Sequence, residues 1–515
     1  MDQNRSNQQS RSFSFRAALE ELFLRERDPY YIILILVGIT LVGLVLRLLD
    51  INKPIAYDEA YTFINFASKS FKHILADYSA PNNHIFHTIL VGIAYRLFGG
   101  QAWVLRLPAL IAGTLMIPAV YFTARRFFSA PQALGAATLM AVMRPFINYS
   151  VNGRGYTLLI LLALSLANFA GVIVNQQSKS ASLAFILTTA LGFYTIPIFL
   201  YPWAGISLWV VTTYLFDKEP WQTRIRRAAV FAGICIPSAL LVLLLYSPVI
   251  FFGSGLSSIT SNDIVKSQNW GTFFENLDPR VTKTWSQWMI GVTPAMKYLL
   301  SVGFLLSLFL YRKIPNQKLP LQIFLALAVA ILLLLQRVTP LPRIWLYLEA
   351  FYLMFAAAGL VWLFQWLLSK VLQPQRAERI SSFAILLILI AAFINILLAR
   401  QQNPALLDRD RLPEEYAANY LADHLKPEDT IVATGPVDIQ AAYYLSLHGI
   451  SFDRFYQRDH PVEIQHALVM LRKNSQYKTP EAVLNFFKLD QVLDLAAAKL
   501  VFEYANVQIY SVPAK

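Results

Sequence analysis

The sequence predicts a mainly α-helical, polytopic membrane protein of about eleven spanning helices with a small C-terminal α/β unit. Three observations carry this. Hydrophobic residues make up 56% of the 515 positions and charged residues only 15%, with a mean hydropathy of +0.47. Apolar runs long enough to cross a bilayer recur along the chain, and a span needs ~20 such residues because hydrocarbon offers no partner to free backbone amides. After residue 401 the pattern changes: acids and bases interleave and the apolar runs shorten. The net charge of +13 would suggest a nucleic-acid ligand in a soluble chain. Here it fits basic cytoplasmic loops that fix topology, and no nucleic-acid motif accompanies it. The single cysteine, Cys235, lies in an apolar run, which excludes an intrachain disulfide and reads as a core thiol.

Residues 1–29 form a basic tail carrying Arg5, Arg11, Arg16, Arg25 and Arg27, placed in the cytoplasm by the positive-inside rule. The first apolar run, Tyr30 to Leu49, is too long for a signal peptide and lacks its small-residue cleavage site, so it remains as an anchor. It opens a membrane domain spanning 30–400. Residues 51–103 then form an exterior loop. Within it, His84 to Phe98 is short, contains His87 and Arg96, and is bounded by Asn82-Asn83 and Gly99-Gly100, so it is expected to lie in the interface rather than cross. The second span is therefore Val104 to Phe122, which puts Arg125-Arg126 inside. Further spans follow near Ala133 to Tyr149 and Tyr156 to Val174. The run Ser182 to Phe216 divides into two near Pro197 and Pro202, because proline resists the helix interior. Ala228 to Tyr246 leads out to a long exterior loop, Ser247 to Gly291, holding Asp263, Lys266, Glu275, Asp278, Arg280 and Lys283. Spans at Thr293 to Leu310, Leu321 to Leu335, Ile344 to Trp366 and Ser381 to Ala399 complete the domain.

Residues 401–515 are expected outside the cytoplasm as the α/β unit. Leu412 to Leu425 reads as a capped amphipathic helix, Thr430 to Thr434 as a buried strand, Asp438 to Leu447 as a second helix, and Lys499 to Tyr510 as a hairpin turning at Ala505-Asn506. Gly435-Pro436 is a turn without the glycine-rich loop that nucleotide binding needs.

The chemistry centres on Asp58 and Glu59, adjacent carboxylates just past the first span. The plain alternative is that they cap a short helix, since acids favour helix N-termini. What favours catalysis is company: Arg154, Tyr156, Arg337, Arg343 and Tyr347 fall on the same membrane face. A carboxylate base facing arginines suits transfer from an anionic phosphate-linked donor, because the base deprotonates a nucleophile while guanidinium groups hold phosphate. For any one arginine the plain alternative is snorkelling to the interface. His84 and His87, three apart, would share a helix face and are weak candidates for a metal site with Asp58 or Glu59. Glu349 is the one acid well inside a span, a functional candidate whose plain alternative is an ion pair with Arg343 or Arg337.

Read together, Tyr57-Asp-Glu-Ala-Tyr61, Ala80-Pro-Asn-Asn-His84 with Leu97-Phe-Gly99, Leu105-Arg-Leu-Pro-Ala109, Asn152-Gly-Arg-Gly-Tyr156 and Pro342-Arg343 resemble the motif order of the GT-C membrane glycosyltransferases. These use a polyprenyl-phosphate sugar and include the protein O-mannosyltransferases and the lipid A aminoarabinose transferase. The likeness covers roughly residues 30 to 360, its order more specific than any one motif. It implies an inverting transfer with Asp58 as base, Glu59 in support, and Arg154, Arg343 and Arg337 toward donor phosphate. Tyr57, Tyr61, Asn83, His84, His87, Tyr156, Tyr347 and Glu349 would line the cavity. One departure is that Pro-Asn-Asn-His stands where relatives often carry His-Pro-Pro, which leaves the acceptor open among lipid, polysaccharide and protein. Relatives vary in metal dependence, so the cofactor is unassigned between none and a divalent metal.

A transporter or lipid flippase of envelope glycan precursors is the second reading. It would want several polar groups near the bilayer midplane and an internal repeat, whereas only Glu349 and no clear repeat are present. A third is a non-catalytic scaffold whose tail binds partners. The basic loops fit a bacterial inner membrane, and a eukaryotic secretory membrane stays open beside it, in either case with the site and the C-terminal unit outside the cytoplasm.

Overall fold

The predicted spans, all but one unbroken, fall on helices in the computed structural model, which describes residues 21–22, 28–260, 266–314, 318–402, 412–458 and 463–515. The arginines of the N-terminal tail and Asp263 lie outside the described residues. The helices are Tyr30–Leu48, Ala102–Arg125, Ala130–Val142, Tyr156–Gln176, Lys179–Thr195, Leu200–Leu215, Trp221–Phe252, Pro294–Phe309, Leu321–Gln336, Leu346–Leu368 and Pro374–Gln402. Among the described residues, seven helical stretches at these places are long and apolar enough to cross a membrane. The segment expected in the interface is the helix Ile85–Phe98.

Helix pairs pack through small residues, as expected where lipid removes the hydrophobic drive between helices. A Cβ at Gly359 would sit 1.9 Å from the Gly303 carbonyl oxygen, and one at Gly303 would sit 2.3 Å from that of Ala356. Only glycines let Pro294–Phe309 and Leu346–Leu368 touch backbone to backbone.

The predicted span Ala133 to Tyr149 is broken. Ala130–Val142 ends at an extended Met143, and a short helix, Arg144–Ser150, resumes beyond it. Pro145 has no N–H to offer the carbonyl four residues back, Ala141. That carbonyl and its neighbour on Met140 instead accept from the buried Arg47 guanidinium at 3.3 and 3.1 Å, while Arg47 Nε donates to Ser150 Oγ at 2.9 Å. A cation at the end of the first span is thus satisfied by acceptors that the helix break releases. The segment Ser247 to Gly291, expected to be a loop, holds a nineteen-residue amphipathic helix, Trp270–Trp288.

The C-terminal unit is a four-stranded sheet ordered β1 (Asp429–Ala433), β2 (His466–Arg472), β4 (Val507–Pro513), β3 (Lys499–Tyr504). β1 and β2 are parallel and the other pairings antiparallel. The helices Pro413–His424 and Val437–Leu447 and the β3–β4 hairpin stand where expected. The central β2 was not foreseen, nor was the helix Pro480–Phe487. Val437–Leu447 packs onto the 51–103 loop: Tyr443 donates to the Gly100 carbonyl at 3.0 Å, and Gln440 to that of Ile55 at 3.0 Å.

Candidate active site

Asp58 and Glu59 open the short helix Tyr57–Thr62 and diverge at once. Glu59 turns inward. It is 3% exposed and meets Arg106 in a bidentate pair, Nε to Oε1 and Nη2 to Oε2, both at 2.8 Å. Its carboxylate also accepts from the backbone N–H of Gly153 at 2.6 Å and of Ala56 at 2.9 Å, the latter closing the helix N-terminus. Arg106 donates in addition to the carbonyls of Ile51, Lys53 and Pro54 at 2.7, 2.6 and 3.0 Å. One buried ion pair therefore ties the 51–56 loop, the Asp58 helix and the 152–154 turn to the second span. This one carboxylate caps the helix and braces the loop that carries Asp58, and it does not line the polar cavity.

Asp58 turns outward. Its Oδ2 lies 3.1 Å from Arg154 Nη1 and 3.0 Å from Arg343 Nη1. Arg154 is buried, with its guanidinium 5.7 Å from the Tyr156 ring centroid, and Arg343 hydrogen-bonds the Tyr156 side chain. The cluster sits where two cavities meet. One, of about 490 Å³, is lined by polar groups: Tyr57, Asp58, Asn148, Tyr149, Asn152, Tyr156 and Arg343, with Ala56. The other, of about 410 Å³, shares Tyr156 and Arg343 but has mostly apolar walls, among them Ile196, Ile198, Leu200, Ile259, Leu341 and Ile344. Asn148 and Tyr149 reach the first cavity because the helix break redirects Arg144–Ser150.

His84 props the arginine. Its Nδ1 lies 2.9 Å from the Gly155 backbone nitrogen and its Nε2 3.2 Å from Arg154 Nη2; both partners are donors, so the neutral ring accepts from one of them. This approach needs glycine, since a Cβ at position 155 would fall 3.1 Å from Nδ1. Burial, then the Arg154 charge, holds the His84 pKa well below its usual value, so the ring is neutral. His87 is fully buried with neither ring nitrogen hydrogen-bonded, and the same two causes lower its pKa to about 3. Neither histidine meets Asp58 or Glu59 in a ligand set, and among the described residues no three His, Cys, Asp or Glu side chains are grouped to hold a metal.

The remaining expected residues divide. Tyr57 lines the polar cavity, its hydroxyl raised to about 12 chiefly by burial. Tyr61 packs beside it, ring centroids 6.2 Å apart, against the C-terminal unit. Asn83 is buried and shapes the loop by donating to the carbonyls of Ile74 and Asp77. Arg337 does not join the cluster. It ends its helix in the left-handed region, φ 51°, and stacks over Trp270 at 5.6 Å. Tyr347 is fully buried in the helical core rather than on a cavity wall. Glu349 is fully buried too, and neither oxygen has a hydrogen-bond partner. The plain alternative for Glu349, an ion pair with Arg343 or Arg337, is not met: Arg343 pairs with Asp58 and Arg337 stacks over Trp270.

Residues 83–252, about a third of the chain, match the family model described as dolichyl-phosphate-mannose-protein mannosyltransferase. No curated protein matches by sequence. Two solved structures share the fold along nearly the whole length. ArnT from Cupriavidus metallidurans bound to undecaprenyl phosphate aligns with a TM-score of 0.52 at 16% identity, covering 93% of this chain and 98% of that one. The same protein in the apo state aligns with a TM-score of 0.53 at 13% identity, covering 93% and 97%. The chain therefore has the GT-C-like fold, apolar helices joined to a small C-terminal α/β unit.

Proposed function

We propose that this protein is a membrane-embedded inverting glycosyltransferase that moves a hexosyl or pentosyl unit from a polyprenyl-phosphate carrier to an extracytoplasmic lipid, polysaccharide or protein. The observation that carries it is the position of Asp58: a carboxylate held by Arg154 and Arg343 at the junction of a polar and an apolar cavity. A lipid-linked donor has that same division, an apolar tail joined through phosphate to a sugar. The ArnT structure that shares the fold holds undecaprenyl phosphate, and the apolar cavity is where such a chain would enter here.

The step then follows from the residues. The donor phosphate lies on Arg154 and Arg343, with Tyr156 between them. An acceptor hydroxyl or amine in the polar cavity gives its proton to Asp58 as its lone pair attacks the anomeric carbon. The bond from that carbon to the phosphate oxygen breaks, and the phosphate keeps the electron pair while the guanidiniums stabilise the charge. Glu59, Arg106 and His84 act at one remove, by holding Asp58 and Arg154 in place.

The protein belongs, on this reading, in a bacterial inner membrane with the site and C-terminal unit facing outward. Proteoliposomes given a radiolabelled polyprenyl-phosphate sugar and an envelope extract should move label to an acceptor. Asp58→Asn should slow this by about 10²–10⁴-fold without unfolding the protein, the usual worth of a general base. Label that crosses the bilayer with no acceptor labelled would favour a transporter instead.

A further inference from the structure

A charged cluster near the site takes no part in the sugar-transfer chemistry. Asp50, at the end of the first span, is 1% exposed. Its Oδ1 accepts from Arg400 Nη1 at 2.5 Å, and its Oδ2 lies 3.1 Å from Lys53 Nζ and 3.3 Å from Arg144 Nη1. Three cations thus share one carboxylate, and among the described residues no other acid pairs with them. Arg47, one turn earlier, brings a further positive charge already satisfied by neutral acceptors.

The cations are not equivalent. Arg400 is enclosed, its side chain 9% exposed and also bonded to the Leu49 carbonyl, which pins the last span to the first. Lys53 and Arg144 converge on Oδ2 with 23% and 28% of their side chains open. Holding like charges together in a half-buried place is costly unless an anion completes the set. Burial, then the Arg144 charge, lowers the Lys53 pKa, consistent with an excess of positive charge there.

Their location points to the ligand. Lys53 lies three residues before Ala56, and Arg144 one helical turn before Asn148; Ala56 and Asn148 both line the polar cavity beside Asp58. We propose that Lys53 and Arg144 form an anion-binding subsite at the rim of the polar cavity, taking a phosphate or carboxylate group. Such a group is borne either by the molecule that occupies the cavity or by the headgroup of an adjacent membrane lipid. The subsite stands on the charge cluster alone, and only its assignment to an acceptor rests on the transferase reading.

The full-length protein in phosphatidylcholine nanodiscs would be unfolded by heat across a titration of inorganic phosphate, and again in nanodiscs containing phosphatidylglycerol. A rise in midpoint with phosphate supports a group borne by a soluble or cavity-bound ligand, and a rise only with phosphatidylglycerol supports a headgroup. In either arm, measured in the Arg343→Gln background so that phosphate held by the donor arginines does not contribute, Lys53→Gln/Arg144→Gln should weaken the response at least tenfold and Arg144→Lys should keep it. If Arg144→Gln does not fold, Lys53→Gln alone carries the comparison. The proposal is overturned if neither anion shifts the Arg343→Gln parent, or if the double substitution in that background responds as the parent does, which would leave only the general stabilisation by excluded salts. Failure of the wild type to transfer sugar would sink the transferase reading and leave this result standing.

Discussion

Arg106→Met tests the internal frame of the site without touching the reacting atoms. The guanidinium makes five contacts of 2.6 to 3.0 Å, two to Glu59 and three to loop carbonyls, and both side chains of the pair are 2% exposed. Removing one partner of a buried pair leaves an uncompensated charge and costs about 3–5 kcal/mol. Against a total stability of about 5–15 kcal/mol that is a large fraction. Glu59→Gln/Arg106→Met should be more stable than Arg106→Met, because it removes the stranded charge while the amide oxygen can still accept the Gly153 N–H. Unfolding by SDS in mixed micelles, followed by tryptophan fluorescence, gives the comparison. Transfer by Arg106→Met should fall more than tenfold while the protein is still folded, since Asp58 is Glu59's neighbour. A single variant within about 1 kcal/mol of the wild type, or a double variant weaker than the single one, would refute the reasoning.

Acid stability should follow the buried histidines. The unfolded chain takes up protons on His84 and His87 below about pH 6.5, whereas burial and Arg154 keep the folded rings neutral. The stability they permit is complete above that pH and is lost as pH falls toward their depressed values, at about 1.4 kcal/mol per pH unit for each ring. A wild-type unfolding midpoint flat between pH 7 and pH 5 would contradict this. Asp438 works in the opposite sense: burial raises its pKa to about 6, so the stability associated with its protonated form is lost as pH rises through 6. Asp438→Asn should unfold later than the wild type at pH 7.5 and together with it at pH 4. Gly359→Ala should force Pro294–Phe309 away from Leu346–Leu368 and cost about 1–3 kcal/mol or more, read as a lower unfolding midpoint. An unchanged midpoint would show that the helices pack less closely.

The spans were legible because lipid demands long apolar runs, and the β3–β4 hairpin because its alternation and turn are local. The helix break at Met143 was only half visible. Pro145 marks it, but the acceptor role of the freed carbonyls depends on Arg47, nearly a hundred positions away. The Glu59–Arg106 pair joins residues 47 positions apart; Arg106 is visible as part of Leu105-Arg-Leu-Pro-Ala109, but nothing local says that it reaches a carboxylate. Arg337 and Arg343 look alike on the page, six residues apart in one exterior segment. What separates them is backbone direction: Arg337 is turned away by a left-handed helix end, while Arg343 begins the short turn that enters the next span. Tyr347, one turn past Arg343, carries no sequence signal of the helix rotation that turns it from the cavity into the core. Asn148 and Tyr149 were missed because they sat inside an assumed span. β2 was missed because its continuous apolar run, Ala467 to Leu471, is buried on both faces and lacks the alternation of a half-exposed strand.

The two arginines on Asp58 pose a question of charge that the proposed step answers. Both guanidinium contacts fall on Oδ2, which orients the carboxylate and leaves Oδ1 to meet the acceptor proton. With a donor phosphodiester in place, two guanidinium charges face one carboxylate and one phosphate charge, and the cluster is neutral. As the acceptor proton moves to Asp58 the carboxylate loses its charge, while the departing phosphate gains one as its bond to the sugar breaks. The total is unchanged, so negative charge moves from Asp58 to the phosphate past two cations already placed between them. A preorganised field of this kind needs little reorganisation during the reaction. Arg343→Gln would leave the reacting cluster one charge negative throughout, with the deficit growing at the phosphate as the bond breaks. It should therefore lower kcat as well as weaken donor binding, whereas loss of a merely anchoring contact would raise KM alone.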